Sequence, residues 1–258
     1  MRKSGILMHL SSLPGPYGIG TMGKSAYEFV DFLEKAGQAY WQILPLSPTG
    51  YGNSPYQSFS TYAGSPYLID LDTLVEEGLL KREEISSVNW GNDETQVDFG
   101  ILYYERVKLL KLAYSRFVPG KAFDLFVEEN AQWLPDYALF TALKEKFGGQ
   151  SWQNWSVSLM MRVPEMMDGC RRELAEQIRF VYFQQYLFFR QWNALHAYAN
   201  SKGIRIIGDV PIYVPYDSVD VWKNPELFQL DETLAPGEYR ELTAQEVADI
   251  HETKNDAG

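Results

Sequence analysis

The sequence predicts an α/β fold: a parallel sheet interrupted by a large helical insertion. Three observations carry this. Short, almost wholly apolar runs occur at residues 5–10, 40–46 and 204–210. A helix-periodic stretch separates the first two, and parallel neighbours require a crossover of that kind. Between the second and third runs the apolar spacing is helical, with no clear strand signal.

Taken in order, residues 5–10 form the first strand, and the loop 11–20 that follows is dense in turn formers. Ser25 with Glu28 fits a capping box, and Phe29, Phe32, Leu33 and Ala36 recur on one helical face, with Gly37 as the stop. Residues 40–46 form the second buried strand, ended by Pro45-Leu46-Ser47-Pro48. Residues 49–68 are irregular and rich in Gly, Ser, Pro and Tyr. Helices are predicted over 98–117 (Ile101, Tyr104, Val107, Leu112), 122–129 and 133–147, the last with Pro135 in its first turn.

The pattern over 164–200 reads as one long helix. Its broad face comprises Ile178, Val181, Tyr182, Gln185, Phe188, Phe189, Trp192, Leu195 and His196, and Gly203 stops it. Residues 204–210 are the third strand, with Asp209 near its carboxyl end. Residues 233–258 hold one aromatic, Tyr239, and at most one weak helix capped by Thr243 and Glu246, so they read as a surface segment or tail. The expected division is 1–48 for the first β/α units and 49–163 for a loop and mainly helical insertion. Residues 164–232 hold the helix with the third strand and its loop, and 233–258 a divergent tail.

Composition excludes several classes. The 258 residues are 45% hydrophobic and 22% charged, a globular balance with ample chain for a core. No apolar run approaches the ~18 residues of a membrane span. Arg2 and Lys3 precede an apolar run too short for a secretory signal. A net charge of -11 repels phosphate backbones, so no nucleic-acid partner is expected. The single Cys170 reads as a small buried hydrophobe in a reducing compartment, the cytoplasm. His9, His196 and His251 lie far apart, and neither a metal nor a cofactor is expected. Aromatics reach 15%; besides filling a core, flat rings with polar tips suit ligands such as sugars.

In α/β folds the loops at the carboxyl ends of parallel strands build the site. The most specific here is Gly50-Tyr51-Gly52-Asn53-Ser54-Pro55-Tyr56-Gln57. Its glycines bend the backbone and Pro55 stiffens it. Tyr51 and Tyr56 offer rings, and Asn53 and Ser54 offer hydrogen bonds. The pattern leaves open a stacking platform or a Tyr-rich loop packed on its own protein. Asp209, followed by Val210 and Pro211, is either an exposed loop-bonding residue or a carboxylate facing a pocket.

Other motifs fail. Gly18-Ile19-Gly20 follows too long a loop for a dinucleotide fingerprint, and no phosphate loop is present. Ser11 and Ser12 lack a nucleophile-elbow context. Trp152 and Trp155 read as packing of the insertion, and the pairs Asp70/Asp72 and Asp217/Asp220 as loop residues and helix starts.

The run Gly5-Ile6-Leu7-Met8-His9-Leu10-Ser11-Ser12-Leu13-Pro14-Gly15-Pro16-Tyr17-Gly18-Ile19-Gly20 resembles the opening of the amylomaltases, the bacterial 4-α-glucanotransferases. Tyr40 to Leu46 with Gly50 to Gln57 and Ser65 to Asp70 is similar to their second strand and loop. Gly208-Asp209-Val210-Pro211-Ile212-Tyr213-Val214, with Asp217 to Phe228, is similar to the third. The likeness covers residues 1–232. It implies the first three strands of a (β/α)₈ TIM barrel with large helical insertions. It implies retaining transfer of α-1,4-glucan segments between maltooligosaccharides, in which one carboxylate attacks and a second acts as acid and base. By the same resemblance Tyr56 packs on the donor glucose, Ser54 and Asp209 bond the first subsites, and Tyr51 touches glucan nearby.

The family's nucleophile lies in an Arg-x-Asp-His motif, and its glucan loop carries a Trp-Gly-Asn-Pro run; neither occurs here. The expectation is therefore a chain shortened before its catalytic carboxylates, inactive alone, or a glucan-binding module without chemistry. No catalytic residue is assigned; the candidate substrate-binding residues are Tyr56, Ser54, Asp209, Tyr51, Asn53 and Pro211. An open three-stranded sheet also predicts poor solubility.

Overall fold

Strand β1 (Gly5–Leu7) pairs with β2 (Tyr40–Gln42), and β2 with β3 (Arg205–Ile207), all parallel and in the order β1-β2-β3. This computed structural model describes residues 2–50, 53–91, 93, 95–211 and 213–228. The chain divides into two compact units, Met1–Pro225 and Glu226–Gly258. The expected tail with Tyr239, Thr243 and Glu246 lies outside the described residues.

All three strands are shorter than the apolar runs that announce them. The register is Gly5–Tyr40–Arg205, Ile6–Trp41–Ile206 and Leu7–Gln42–Ile207. Beyond Leu7, β1 keeps one more bond, from Met8 N to the Gln42 carbonyl at 3.0 Å, before a turn at Leu10–Ser12. The alternation places Ile6, Trp41 and Ile206 on the face toward the core. Trp41 is fully buried, and its indole N–H donates to the Met8 carbonyl at 2.7 Å, tying β2 to the end of β1.

Helix α1 (Lys24–Lys35) makes the crossover, but not as its sequence suggested. Its cap residue is Gly23, with no side-chain cap, so Ser25 and Glu28 form no capping box. A Cβ at Gly23 would run into the Asp70 carboxylate, which explains glycine at that point. The buried face is Ala26, Val30 and Leu33; Phe32 is exposed and stacks against Phe29 at 6.0 Å. Gly37 ends the helix at φ 65°, a left-handed geometry glycine adopts without strain.

The insertion is helical, as expected. It starts with two short helices, α2 (Leu71–Glu76) and α3 (Arg82–Ser86). Next, α4 (Phe99–Ile101) passes through a π turn at Leu102–Arg106 into α5 (Val107–Arg116). Then come α6 (Lys121–Glu129), α7 (Leu134–Lys146) and α8 (Val157–Met160).

The predicted single helix over 164–200 is two helices, α9 (Pro164–Glu173) and α10 (Ala175–Ser201). Leu174, at φ -102° and ψ 20°, breaks them while its side chain stays buried. The apolar pattern runs through a break because residues on both sides of it are buried. Phe180, Phe183 and Leu187 also bury on α10, whereas His196 stays exposed. The last helix is α11 (Val219–Lys223), with Ser218 as its side-chain cap.

Two buried glutamines of α10 fix the chain leaving β2. Gln185 bonds both the N–H and the C=O of Gly64, at 2.8 and 2.9 Å. Gln191 does the same for Asp70, at 2.7 and 3.2 Å. Each side-chain amide satisfies a backbone segment that has no strand partner, as burial requires.

Candidate functional site

The loop after β2 closes on itself. Thr49 and Ser58 form an antiparallel bridge, and Gly50 N donates to the Gln57 carbonyl at 2.8 Å. Inside the loop, Asn53 N donates to the Gly50 carbonyl at 3.1 Å and Gln57 N to the Ser54 carbonyl at 3.0 Å. The Ser54 hydroxyl accepts from Tyr56 N at 3.3 Å. Asn53 adopts φ 55°, a left-handed geometry that asparagine tolerates better than most residues. Tyr51 lies outside the described residues.

The loops after β2 and β3 meet through side chains. The Tyr56 hydroxyl donates to Asp209 Oδ2 at 2.7 Å. That bond to a carboxylate is the main reason the Tyr56 pKa rises above its ordinary value. Ser54, Tyr56, Asp209 and Pro211 are all half-buried, and Asn53 is exposed. Four of the predicted residues therefore cluster: Asn53, Ser54 and Tyr56 share one loop, and Asp209 reaches it from β3. Pro211 follows Asp209 in the chain.

Residues the sequence does not mark as part of the site hold this arrangement. Asp220, in the first turn of α11, accepts from Thr61 N at 2.9 Å and from the Thr61 hydroxyl at 3.0 Å. Val219 N donates to the Phe59 carbonyl at 2.9 Å. Asp217 accepts from Lys144 Nζ at 2.6 Å and from Trp152 N at 3.2 Å. Lys144 also donates to the Gly149 and Gln150 carbonyls, at 2.8 and 2.9 Å, and sits 5.2 Å from the Phe59 ring centroid. The Trp152 indole donates to the Tyr216 carbonyl at 2.8 Å while its ring stacks on Tyr216. The insertion thus braces the β3 loop, and that loop braces the β2 loop. Asp217 and Asp220 had read as loop residues and helix starts. Their partners lie too far along the chain for any local pattern to reveal them.

A cavity of about 270 Å³ lies beneath the β2 loop, lined among others by His9, Ser12, Pro45, Thr49, Asn53 and Tyr67. His9 Nδ1 and the Thr49 hydroxyl are buried without hydrogen-bond partners. Burial holds the His9 imidazole pKa below its ordinary value, so the ring is neutral at pH 7. Among the described residues no cluster of three or more His, Cys, Asp or Glu could hold a metal ion. Nor is any helix there long and apolar enough to cross a membrane. Trp152 and Trp155 are buried, Trp155 edge-on to Trp222, as packing residues of the insertion. Cys170 is buried and free.

The site is an aromatic ring and a carboxylate converging from adjacent strand ends of a β/α sheet, an arrangement that suits a polyhydroxylated ligand. The sequence profile of the family described as 4-alpha-glucanotransferase matches residues 8–246, running into the segment set apart as a divergent tail. The chain is 51% identical over 232 residues to the 4-alpha-glucanotransferase of Clostridium butyricum, covering 89% of this chain and 48% of that one. The Thermus thermophilus 4-alpha-glucanotransferase is 48% identical over 241 residues, covering 91% and 47%. The amylomaltase of Streptococcus agalactiae, solved in complex with acarbose, superposes with a TM-score of 0.86 at 45% identity. That superposition covers 90% of this chain and 48% of the other. The chain belongs to the 4-alpha-glucanotransferase family, and its fold is a partial β/α barrel carrying a helical insertion. It spans about half the length of the relatives it matches.

Proposed function

We propose that this chain forms the glucan-gripping part of a 4-α-glucanotransferase. In this reading α-1,4-glucans and maltooligosaccharides lie across the loops after β2 and β3. The Tyr56 ring packs on the donor glucose, Asp209 and Ser54 bond its hydroxyls, and Asn53, Pro211 and Tyr51 border the same groove. The observation that carries it is the 2.7 Å bond between Tyr56 and Asp209, which brings a flat apolar face and a carboxyl acceptor to one point.

The full reaction is a retaining double displacement, and it needs two carboxyl groups about 5 Å apart across the scissile bond. Asp209 meets a tyrosine hydroxyl instead, and the family's Arg-x-Asp-His run is not in these 258 residues. The chain by itself therefore binds glucan without transferring it. Its setting in this reading is the cytoplasm, in keeping with one unpaired, buried cysteine.

Calorimetry with maltotriose, maltopentaose and acarbose tests the binding. We expect saturable heat with Kd on the order of 10 μM to 1 mM, lost in Tyr56→Ala. Absence of saturable binding overturns the reading. Incubation with maltotriose tests the chemistry: release of glucose and longer oligosaccharides shows a chain that transfers glucan unaided.

A further inference from the structure

Among the described residues, the sheet packs into the core through one face only. Ile6, Trp41 and Ile206 pack into the core, so the next row, Leu7, Gln42 and Ile207, points the opposite way. Leu7 is 55% exposed, Ile207 44%, and Val210 beyond the end of β3 79%. Among the described residues, β1 and β3 each pair on one side only, so the sheet has a free edge at both ends. Parallel sheets are covered on both faces in folded proteins, because their strands carry apolar residues on both. A face on which Leu7 and Ile207 flank Gln42, with Tyr40 and Arg205 one step back along β2 and β3, between two unpaired parallel edges, is what a half-built barrel presents.

We propose that this face and the two free edges dock a polypeptide equivalent to the carboxyl-terminal half of the 4-alpha-glucanotransferases, and that the two pieces associate when supplied as separate chains. The size of the occupant follows from the relatives. This chain accounts for 48% of the Clostridium butyricum protein and 48% of the Streptococcus agalactiae chain, so about half of each is left to meet this surface. The geometry agrees. The free edges lie on opposite sides of the sheet, so a partner satisfying both must span the face between them and enclose the Leu7–Gln42–Ile207 row. A second copy is the rival occupant. It would bring the total to six strands, whereas about eight give a cylinder whose interior the side chains just fill. The inference rests on the family reading above, and its test reads association separately from glucan chemistry.

The test co-expresses this full chain with the part of the Clostridium butyricum protein that follows the matched segment. Sedimentation gives the stoichiometry, and hydrogen exchange follows the β1 and β3 amides. We expect a one-to-one complex, with exchange at both strands slowed at least tenfold. In the double variant Leu7→Asp, Ile207→Asp, association should weaken at least a hundredfold while the chain alone keeps its helix content and melting temperature. Failure to form the complex overturns the inference. So does a homodimer of the free chain that the double variant dissolves, which would assign the face to a second copy. A fall in the free chain's melting temperature in that variant also overturns it, by showing that residues of the same chain cover the face. A complex that forms but leaves maltotriose unchanged supports the docking surface and counts against the glucan reading. Glucan binding by the free chain without a complex does the reverse.

Discussion

The Tyr56 hydroxyl and the Asp209 carboxylate, 153 positions apart in the chain, share a 2.7 Å hydrogen bond that joins the loops after β2 and β3. The bond uses the two groups that would meet a sugar, so their variants separate ring stacking from hydroxyl recognition. Tyr56→Phe keeps the ring and removes the hydroxyl, and should weaken maltotriose binding by no more than about 1 kcal/mol. Asp209→Asn removes the charge and should cost about 1.5–3 kcal/mol, tenfold or more in Kd. Calorimetry checks both beside Tyr56→Ala; a loss in Tyr56→Phe as complete as that in Tyr56→Ala would mean that the ring contributes nothing of its own.

Lys144 is the brace between the insertion and the β3 loop. Its ammonium is mostly buried against Asp217 and two carbonyls. Lys144→Met leaves those acceptors unpaired, while Asp217, about one-third exposed, partly recovers water. The expected loss is about 2 kcal/mol, measured by denaturant titration. Trp152 emission should shift to the red as its contacts with Asp217 and Tyr216 loosen.

Glycine matters differently at two turns. A Cβ at Gly20 would collide with the Leu10 and Leu13 carbonyls, which cannot move without displacing the β1 loop. At Gly37 there is open space, and the φ of 65° alone opposes a side chain. Gly20→Ala should therefore cost about 3 kcal/mol and Gly37→Ala about 1 kcal/mol. Urea midpoints check the order; a reversal would show that strain outweighs the backbone clash.

Glu84 gives the acid limb of stability a specific origin. Arg116 binds its two oxygens at 2.7 and 2.8 Å and Lys81 N donates at 2.8 Å. These bonds, that to Arg116 foremost, lower its pKa from 4.5 to about 2. A depressed folded pKa means that the unfolded chain binds the proton more tightly. The contribution is complete above pH 4.5 and fades as pH falls toward about 2. Glu84→Gln should flatten the pH dependence of melting in that window and leave its shape at pH 6–8 unchanged. An unaltered acid limb would assign it to other carboxylates.

The sequence by itself determined the order of elements: three apolar runs, the crossover helix, the helical insertion and the glycine stops at Gly37 and Gly203, each of φ above 60°. It also marked Tyr56, Ser54 and Asp209, because strand-end position and residue type are local properties. Element ends were less legible. Gly23, not Ser25, starts α1 because Asp70 packs on it from another segment. Leu174 breaks a helix whose apolar pattern continues, since residues on both sides of the break are buried. Only tertiary structure decided the long-range braces, from Gln185 and Gln191 to Gly64 and Asp70 on the chain leaving β2 and from Lys144 and Asp220 to the loops after β3 and β2. Buried polar groups must find partners wherever folding places them, and that requirement leaves no period or spacing along the chain.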